Sequence, residues 1–196
     1  ADLTAVREAR RCQAEAERAR ANLARYFSPN LASHLADHPD ILALGGELRD
    51  LSFLFTDLAD FTPLAESLDA ALIVRVMNEY IGRLSGIVFE HGGTVHTVVG
   101  DAVCAMFGAP LEQSDHAGRA VACALAIDAF AQEFARDQNA LGIAIGVTRI
   151  GVNSGPAIVG NVGGENFFHY TAYGDAINTA ARLEQANKVL GTRICI

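Results

Sequence analysis

Two aspartates, Asp57 and Asp101, occupy positions where a carboxylate needs a partner. Asp57 ends the apolar run 51–56, and Asp101 follows Gly100 at a tight turn between the apolar runs 95–99 and 102–107. A carboxylate beside buried strands is unfavourable unless a charge or a hydrogen bond compensates it. Two such carboxylates facing each other would suit a two-metal phosphoryl-transfer site. The alternative is that each aspartate only caps a turn or a helix.

Three other polar residues stand in unusual surroundings. Arg149 interrupts an apolar strand-like run, whereas Asn178 and Arg182 are four residues apart and share one face of a predicted helix. Alternatives remain open for each, since Arg149 could pair with a surface acid and the other two could be ordinary polar helix residues. His91 and His96 flank a strand but lack a third ligand at zinc spacing, so they do not indicate a zinc site.

Composition predicts one domain with an appendage. The chain has 196 residues, is 51% hydrophobic and carries a net charge of −8, which is enough apolar material for a full core. Residues 1–25 contain six arginines and four acids, so the remainder has a net charge of −10. Such an acidic body argues against direct binding of nucleic acid, although it does not exclude a nucleotide accompanied by divalent metal.

The chain has features of a cytoplasmic protein. It contains no apolar run of transmembrane length and no signal-peptide pattern at its start, so no membrane contact is expected from this segment itself. The four cysteines lie far apart without a C-x-x-C pair, and we expect reduced thiols. The protein could also be the cytoplasmic part of a membrane-anchored receptor.

Hydrophobic periodicity predicts an α+β domain. Strands are expected at 51–55, 95–99, 102–107, 143–152, 157–162 and 192–196, and helices at 68–89, 115–135 and 175–190. The order β-α-β-β-α-β-β-α-β predicts a sheet with helices on one face. Residues 3–27 read as one further helix with an alanine-rich heptad seam, which favours a weak coiled coil and a solvated single helix about equally.

Four segments together resemble the catalytic domain of class III nucleotidyl cyclases. They are Phe55-Thr-Asp-Leu-Ala-Asp-Phe-Thr62, Gly100-Asp101-Ala102, Arg149-Ile-Gly-Val-Asn-Ser-Gly155 and Gly174-Asp-Ala-Ile-Asn-Thr-Ala-Ala-Arg-Leu-Glu184. The resemblance covers residues 47–196 and implies a ferredoxin-like βαββαβ-derived sheet. By the same resemblance, residues 1–46 are expected to be a linker and transducer segment that carries a signalling helix. An upstream sensor domain is expected outside this chain, as in similar bacterial proteins. The family continues beyond the position of Ile196, so the C-terminal end is expected to be incomplete.

The resemblance also implies roles for individual residues. Two Mg²⁺ or Mn²⁺ ions would be bound by Asp57, Asp101 and the backbone carbonyl of Leu58. Asn178 and Arg182 would be catalytic, orienting the ribose and neutralising charge on the α-phosphate. The triphosphate would contact Arg149 and the backbone N–H groups at the start of the first helix, those of Ala59, Asp60, Phe61 and Thr62. Metal-binding and transition-state residues of this family come from opposite subunits, so a homodimer is expected.

The base-binding positions depart from the pattern of the family. Thr97 stands where adenylyl cyclases have a lysine and guanylyl cyclases commonly a glutamate, and the only lysine of the chain is Lys188. Thr171 fits a bacterial subgroup that uses threonine at the second base position. The alternative is that Thr97 is only a small strand residue and that another group makes the base contact. We therefore expect an adenylate cyclase acting on ATP, with a guanylate or dual-specificity cyclase, or a weak regulatory nucleotide-binding module, as alternatives.

Overall fold

The computed structural model describes residues 44–164 and 167–196. Expectations for residues 1–43, including the signalling helix, lie outside the described residues. The described chain forms six strands and four helices: β1 (Gly45–Leu58), α1 (Phe61–Ser67), α2 (Ala70–Glu90), β2 (Thr94–Val99), β3 (Ala102–Phe107), α3 (His116–Ala140), β4 (Thr148–Gly164), β5 (Phe167–Tyr173), α4 (Asp175–Leu190) and β6 (Ile194–Cys195). None of these helices is both long and apolar enough to cross a membrane.

The strands form a single sheet in the order β2-β3-β1-β4-β5, and β6 pairs with β4. Only the β4–β6 pairing is parallel among the described strands. The first half of β1 pairs with the second half of β4, whereas the second half of β1 lies between β4 and β3. The expected α+β architecture is therefore confirmed.

Alternating residues of β1 divide the core between the two faces of the sheet. Leu54 and Leu58 belong to the large cluster formed with α2 and α3, which contains the buried Tyr80 and Phe134. Phe53 and Leu51 point the other way and pack with Ala176 and Ala180 of α4. The expectation of helices on one face therefore holds for α2 and α3, while α4 covers part of the opposite face.

One glycine allows α4 to lie directly on the sheet. A Cβ atom at Gly151 of β4 would clash with the backbone of Ala180 and Glu184. Because glycine has no side chain, the helix backbone approaches the strand closely at this point. This contact sets the position of α4, and with it the position of Asn178 and Arg182.

The structure corrects the prediction for the fourth and fifth strands. The segments 143–152 and 157–162 were expected to be separate strands around Asn153-Ser154-Gly155. Instead β4 begins only at Thr148 and runs without a break through Asn153, Ser154 and Gly155. Tertiary partners replace the turn: Ser154 Oγ lies 2.6 Å from Ser52 Oγ, and Asn153 donates to the carbonyl of Ala176 at 3.1 Å. The true fifth strand is β5, whose aromatic and β-branched residues favour strand structure.

The described cysteines are free, as expected. Cys104 and Cys123 are buried, and Cys195 is half-buried. Burial raises the pKa of the thiols of Cys104 and Cys123 to about 12 in each case. Both thiols are therefore protonated at neutral pH and behave as small apolar core groups.

Candidate active site

Asp57 and Asp101 converge at the end of β1. Asp101 lies in the turn between β2 and β3, and its Oδ2 atom accepts a hydrogen bond from the N–H of Leu58 at 2.8 Å. This bond brings the Asp101 carboxylate next to Asp57, the preceding residue. On the other side, Asp57 lies directly opposite Arg149 of β4. The two expected acidic ligands are thus brought together, and the expected arginine lies beside them.

The electrostatics of this corner suit a bound cation. Burial raises the pKa of Asp57, the neighbouring Asp101 raises it further, and Arg149 and Lys188 lower it. The ion pair between Arg149 Nη1 and Asp57 Oδ2 is long, at 3.4 Å, and the Asp57 side chain is 39% exposed. A divalent ion would relieve the repulsion between the two carboxylates.

The protein offers a cation few ligands of its own. Across residues 44–164 and 167–196, no group of three or more histidine, cysteine, aspartate or glutamate side chains could hold a metal. Asp57 and Asp101 therefore form a partial ligand set, which Mg²⁺ or Mn²⁺ could complete with water and substrate phosphates. The carbonyl of Leu58 is the further ligand that the family resemblance adds.

The four backbone N–H groups after β1 that were expected to contact phosphate do not all have the same surroundings. The N–H of Ala59 donates to the carbonyl of Val147 at 2.9 Å, so in this structure it is not available to a phosphate. Phe61 and Thr62 open α1, where N–H groups have no carbonyl partner within the helix. Of the four N–H groups expected to contact phosphate, that of Ala59 therefore already has a partner in this structure, and those of Phe61 and Thr62 lie at the start of the helix.

The backbone is strained at Asp60, in the turn between β1 and α1. Asp60 has φ 58° and ψ 26°, and within the described residues it is the only non-glycine residue with positive φ. Such a conformation is unfavourable for a residue with a side chain and is often found where a ligand binds. Gly146 allows the close approach that holds the turn, since a Cβ atom there would clash with the carbonyl of Ala59.

Asn178 and Arg182 point away from their own sheet. The sheet-facing side of α4 is formed by the buried residues Ala176, Ala180, Glu184 and Asn187. Successive helix residues are about 100° apart, so Arg182 lies about 160° around the axis from Ala180, as does Asn178. Both side chains are exposed. The structure therefore does not bring them to the Asp57–Asp101 pair of the same protomer.

Glu184 is a site neighbour that the sequence analysis did not assign. It is 8% exposed, and its Oε1 atom has no hydrogen-bond partner in the described part of the chain. Burial raises the pKa of its carboxyl group to about 7, with Asp57 and Asp101 adding to the shift and Arg149 opposing it. Its position could have been found from the sequence, since Glu184 lies four residues after Ala180 and therefore on the apolar face of the helix.

One base-binding candidate, Thr97, lies on the side of the sheet that α4 covers, and the other, Thr171, lies on β5. Thr97 pairs with Cys104 across β2 and β3, and Cys104 pairs with Phe55, which packs against the α4 cluster. Thr171 of β5 is buried, and its hydroxyl lies 3.5 Å from His96 Nε2. The structure thus places Thr171 next to the strand residue that precedes Thr97.

Comparisons with known proteins agree with this geometry. The family model for the adenylate and guanylate cyclase catalytic domain matches residues 46–194. Adenylate cyclase 1 of Rhizobium meliloti is 38% identical over 146 residues, which are 74% of this chain and 22% of the relative. The chain therefore spans about a fifth of that protein.

Solved structures of both nucleotide specificities are similar to the chain. The guanylyl cyclase Cya2 has a TM-score of 0.68 and 35% identity, and the match covers 73% of each chain. The adenylyl cyclase CyaB from P. aeruginosa has a TM-score of 0.69 and 34% identity, covering 73% of this chain and 74% of that one. The two neighbours are almost equally similar. Residues 46–194 match the family model over most of the chain, and the chain belongs to the adenylate and guanylate cyclase catalytic domain family.

Proposed function

We propose that this domain is an adenylate cyclase that converts ATP to 3′,5′-cyclic AMP and pyrophosphate as a homodimer. The observation that carries the proposal is the division of the site within one protomer. Asp57 and Asp101 converge at the end of β1, whereas Asn178 and Arg182 are exposed on the far side of α4. A second copy of the chain would supply the missing half of each site, as a two-fold symmetric dimer requires.

The carboxylate pair prepares one half of the reaction. Two Mg²⁺ or Mn²⁺ ions held by Asp57, Asp101 and the Leu58 carbonyl would activate the ribose 3′-hydroxyl and stabilise charge on the α-phosphate. Asp101 is pre-oriented by its hydrogen bond from Leu58. The N–H groups of Asp60, Phe61 and Thr62 would bind the phosphate chain at the start of α1.

Arg149 has two partners in this proposal. Without nucleotide it forms the 3.4 Å ion pair with Asp57. A cation held by Asp57 would neutralise its charge, and the guanidinium group of Arg149 would then be free to contact the triphosphate. A planar guanidinium forms strong paired hydrogen bonds with phosphate oxygens, which suits this second role.

The partner subunit's face of α4 completes the reaction. Asn178 would orient the ribose so that the 3′-hydroxyl lies in line with the α-phosphate. Arg182 would neutralise the charge that develops on that phosphate as pyrophosphate leaves. Because the nucleophile and the leaving group belong to one nucleotide, positioning and charge stabilisation account for most of the catalysis.

A guanylate or dual-specificity cyclase is the second candidate function. Its supporting observation is Thr97, which offers a short hydroxyl where neither the adenylyl lysine nor the guanylyl glutamate is present. A hydroxyl can donate or accept a hydrogen bond, so Thr97 and Thr171 fit either purine. A weak regulatory nucleotide-binding module is disfavoured, because such a module would not need Asp57, Asp101 and Arg182 together.

Product analysis tests the proposal directly. The protein would be incubated with Mn²⁺ and either ATP or GTP, and the cyclic nucleotides would be separated by chromatography. Cyclic AMP formed faster than cyclic GMP is expected. Faster formation of cyclic GMP would favour the second candidate, and the absence of both products from a dimeric protein would favour the regulatory module.

Signal input from an upstream sensor through residues 1–46 is a further part of the proposal.

A further inference from the structure

A β-bulge changes the direction of His96. Val95 pairs with Ala105 and Thr97 pairs with Cys104, so His96 is the extra residue of β2 in the β2–β3 ladder. Bulges change the direction in which a side chain points and are frequent beside active sites. Val95 packs against the α2–α3 cluster, whereas the His96 ring reaches His169 and Thr171 of β5.

The His96 ring lies between two strands that the sheet order separates. β2 and β5 are the two ends of the path β2-β3-β1-β4-β5, yet His96 Nε2 is 3.5 Å from the Thr171 hydroxyl. The His96 and His169 rings are stacked, with centroids 5.4 Å apart. The curl of the sheet therefore brings one edge strand over to the other.

His96 is held in its neutral form. Burial lowers the pKa of the ring and the neighbouring His169 lowers it further, while the backbone of Tyr170 acts in the opposite direction. A neutral imidazole has one nitrogen that donates and one that accepts. The Nδ1 atom is buried without a hydrogen-bond partner among the described residues, and the polar neighbours of the ring are the Thr171 hydroxyl and the backbone of Tyr170.

The single proton of the Thr171 hydroxyl connects this contact to base choice. If the hydroxyl donates to His96 Nε2, its oxygen can only accept hydrogen bonds from a bound base. Adenine presents an amino group at the 6-position, and guanine presents a carbonyl oxygen there. An acceptor-only oxygen therefore pairs with adenine and opposes the guanine carbonyl. A donating Nε2 would leave the Thr171 proton free for guanine.

We propose that His96 is a specificity-determining positioning residue, which accepts the Thr171 hydroxyl proton at Nε2 and thereby makes Thr171 select adenine. The inference rests on the proposed function, since it takes Thr171 as a base contact. It assigns the ring proton to Nδ1. It also gives the bulge a purpose, because the bulge turns His96 towards Thr171. The 3.5 Å contact is expected to shorten when nucleotide binds, as site hydrogen bonds often do.

The ring tautomer can be measured without turnover. In protein labelled with ¹⁵N-histidine, a long-range ¹H–¹⁵N spectrum distinguishes a protonated from an unprotonated ring nitrogen, and a His96→Gln variant assigns the signal among the six histidines of the chain. A protonated Nδ1 and an unprotonated Nε2 at pH 8 are expected. A protonated Nε2 would overturn the proposal.

Base discrimination tests whether His96 acts through Thr171. We expect His96→Leu to lower the ATP-to-GTP ratio of kcat/KM about 5-fold, the size of one modest hydrogen bond. Thr171→Val is expected to lower it similarly, and the double variant no further, because the two residues act as one unit. His96→Gln, whose amide oxygen can accept the same proton, should retain part of the preference. The proposal would be overturned if the losses of the two single variants add up in the double variant. It would also be overturned if the ATP-to-GTP ratio of kcat/KM is unchanged in folded His96→Leu.

A control and a binding measurement separate this inference from the proposed function. His91→Asn is the matched control, since His91 contacts the carbonyl of Ile87 at the end of α2 and not β5. Binding of 3′-deoxy-ATP and 3′-deoxy-GTP with Mn²⁺, measured by calorimetry, needs no turnover. Absent cyclisation in the parent would refute the proposed function alone. The 3′-deoxy-ATP preference would still fall about 5-fold in His96→Leu, and an unchanged preference would refute the role of His96.

Discussion

The carboxylate corner, formed by Asp57, Asp101 and Arg149, contrasts with His96, Thr97 and Thr171, which we call the base-recognition side after their proposed role. The corner is built from neighbouring strands and one short turn, and charge dominates it. The base-recognition side joins two opposite edges of the sheet and relies on neutral hydrogen-bonding groups. A change at the corner should therefore abolish activity, whereas a change at the base-recognition side should alter the choice of substrate.

The largest effect is expected at the carboxylate corner. Replacing Asp57 or Asp101 by Ala should lower turnover by about 10²- to 10³-fold, the size typical of removing a group that stabilises transition-state charge. The fold should remain, because the substitution also removes repulsion between two carboxylates. Initial rates with Mn²⁺ and ATP, together with a thermal melt, measure both effects.

The matched control for this prediction is Asp137→Ala, which removes an exposed carboxylate from α3. It should retain the activity of the parent. Substantial cyclase activity in folded Asp57→Ala or Asp101→Ala would contradict the assignment of these residues as metal ligands.

The next largest effect is expected when two inactive variants are mixed and activity returns. Asp57→Ala and Arg182→Ala should each be inactive, because each removes one half of both sites in its own homodimer. Random mixing makes half of the dimers heterodimers with one intact site, so about a quarter of the parent activity should return. Rates would be measured after subunit exchange, with heterodimers detected by differently sized tags.

A second mixture controls for unspecific recovery. Asp57→Ala mixed with Asp101→Ala should stay inactive, because both residues belong to the same half-site and every site in the heterodimer remains damaged. Recovery in this second mixture, or its absence in the first despite heterodimers, would argue that each protomer holds a complete site.

The base-recognition side should respond by a smaller factor. Thr97→Lys should raise kcat/KM for ATP and increase the preference for ATP over GTP by about 5- to 150-fold, since one hydrogen bond to a base edge is worth roughly 1–3 kcal/mol. The measurement is kcat/KM for both nucleotides in the parent and the variant. A parent that already prefers ATP by more than about 150-fold would show that Thr97 is not the selecting position.

The smallest effect is a pH-dependent change in stability at Glu184, beneath the carboxylate corner. Its pKa is raised from 4.5 to about 7, so the folded state holds the proton more tightly than the unfolded state. Stability from this group is complete below pH 4.5 and is lost as the pH rises towards 7. Glu184→Gln should therefore stabilise the protein by about 1–2 kcal/mol at pH 8 and have little effect at pH 4.5.

Urea unfolding at the two pH values measures this difference. Glu133→Gln, an exposed change on α3, is the control and should behave like the parent at both. Equal stability of Glu184→Gln and the parent at pH 8 would show that the carboxyl group is not buried as charge in the native protein.

Sequence reasoning succeeded in placing Asp57 beside Asp101, which depends on local pattern. The carboxylate corner was predicted because an aspartate after a buried strand and an aspartate in a hairpin turn are recognisable in isolation. Asn178 and Arg182 were assigned to one helix face from their spacing alone. It failed at Asn153-Ser154-Gly155, where contacts from Ser52 and Ala176 replace a turn with continuous strand. It also did not predict the hydrogen bond from Ala59 to Val147, because no local pattern indicates that partner.

The sequence by itself determined most of the element types, the pair of carboxylates and the motifs of the family, since each follows from residues close together in the chain. Only the tertiary structure decided which way α4 turns, because that depends on Gly151 admitting the helix backbone to the sheet. It also decided that His96 meets Thr171, since the two residues lie 75 positions apart on opposite edge strands. Such a contact depends on the curl of the whole sheet and on a one-residue bulge, and neither is visible in a local pattern.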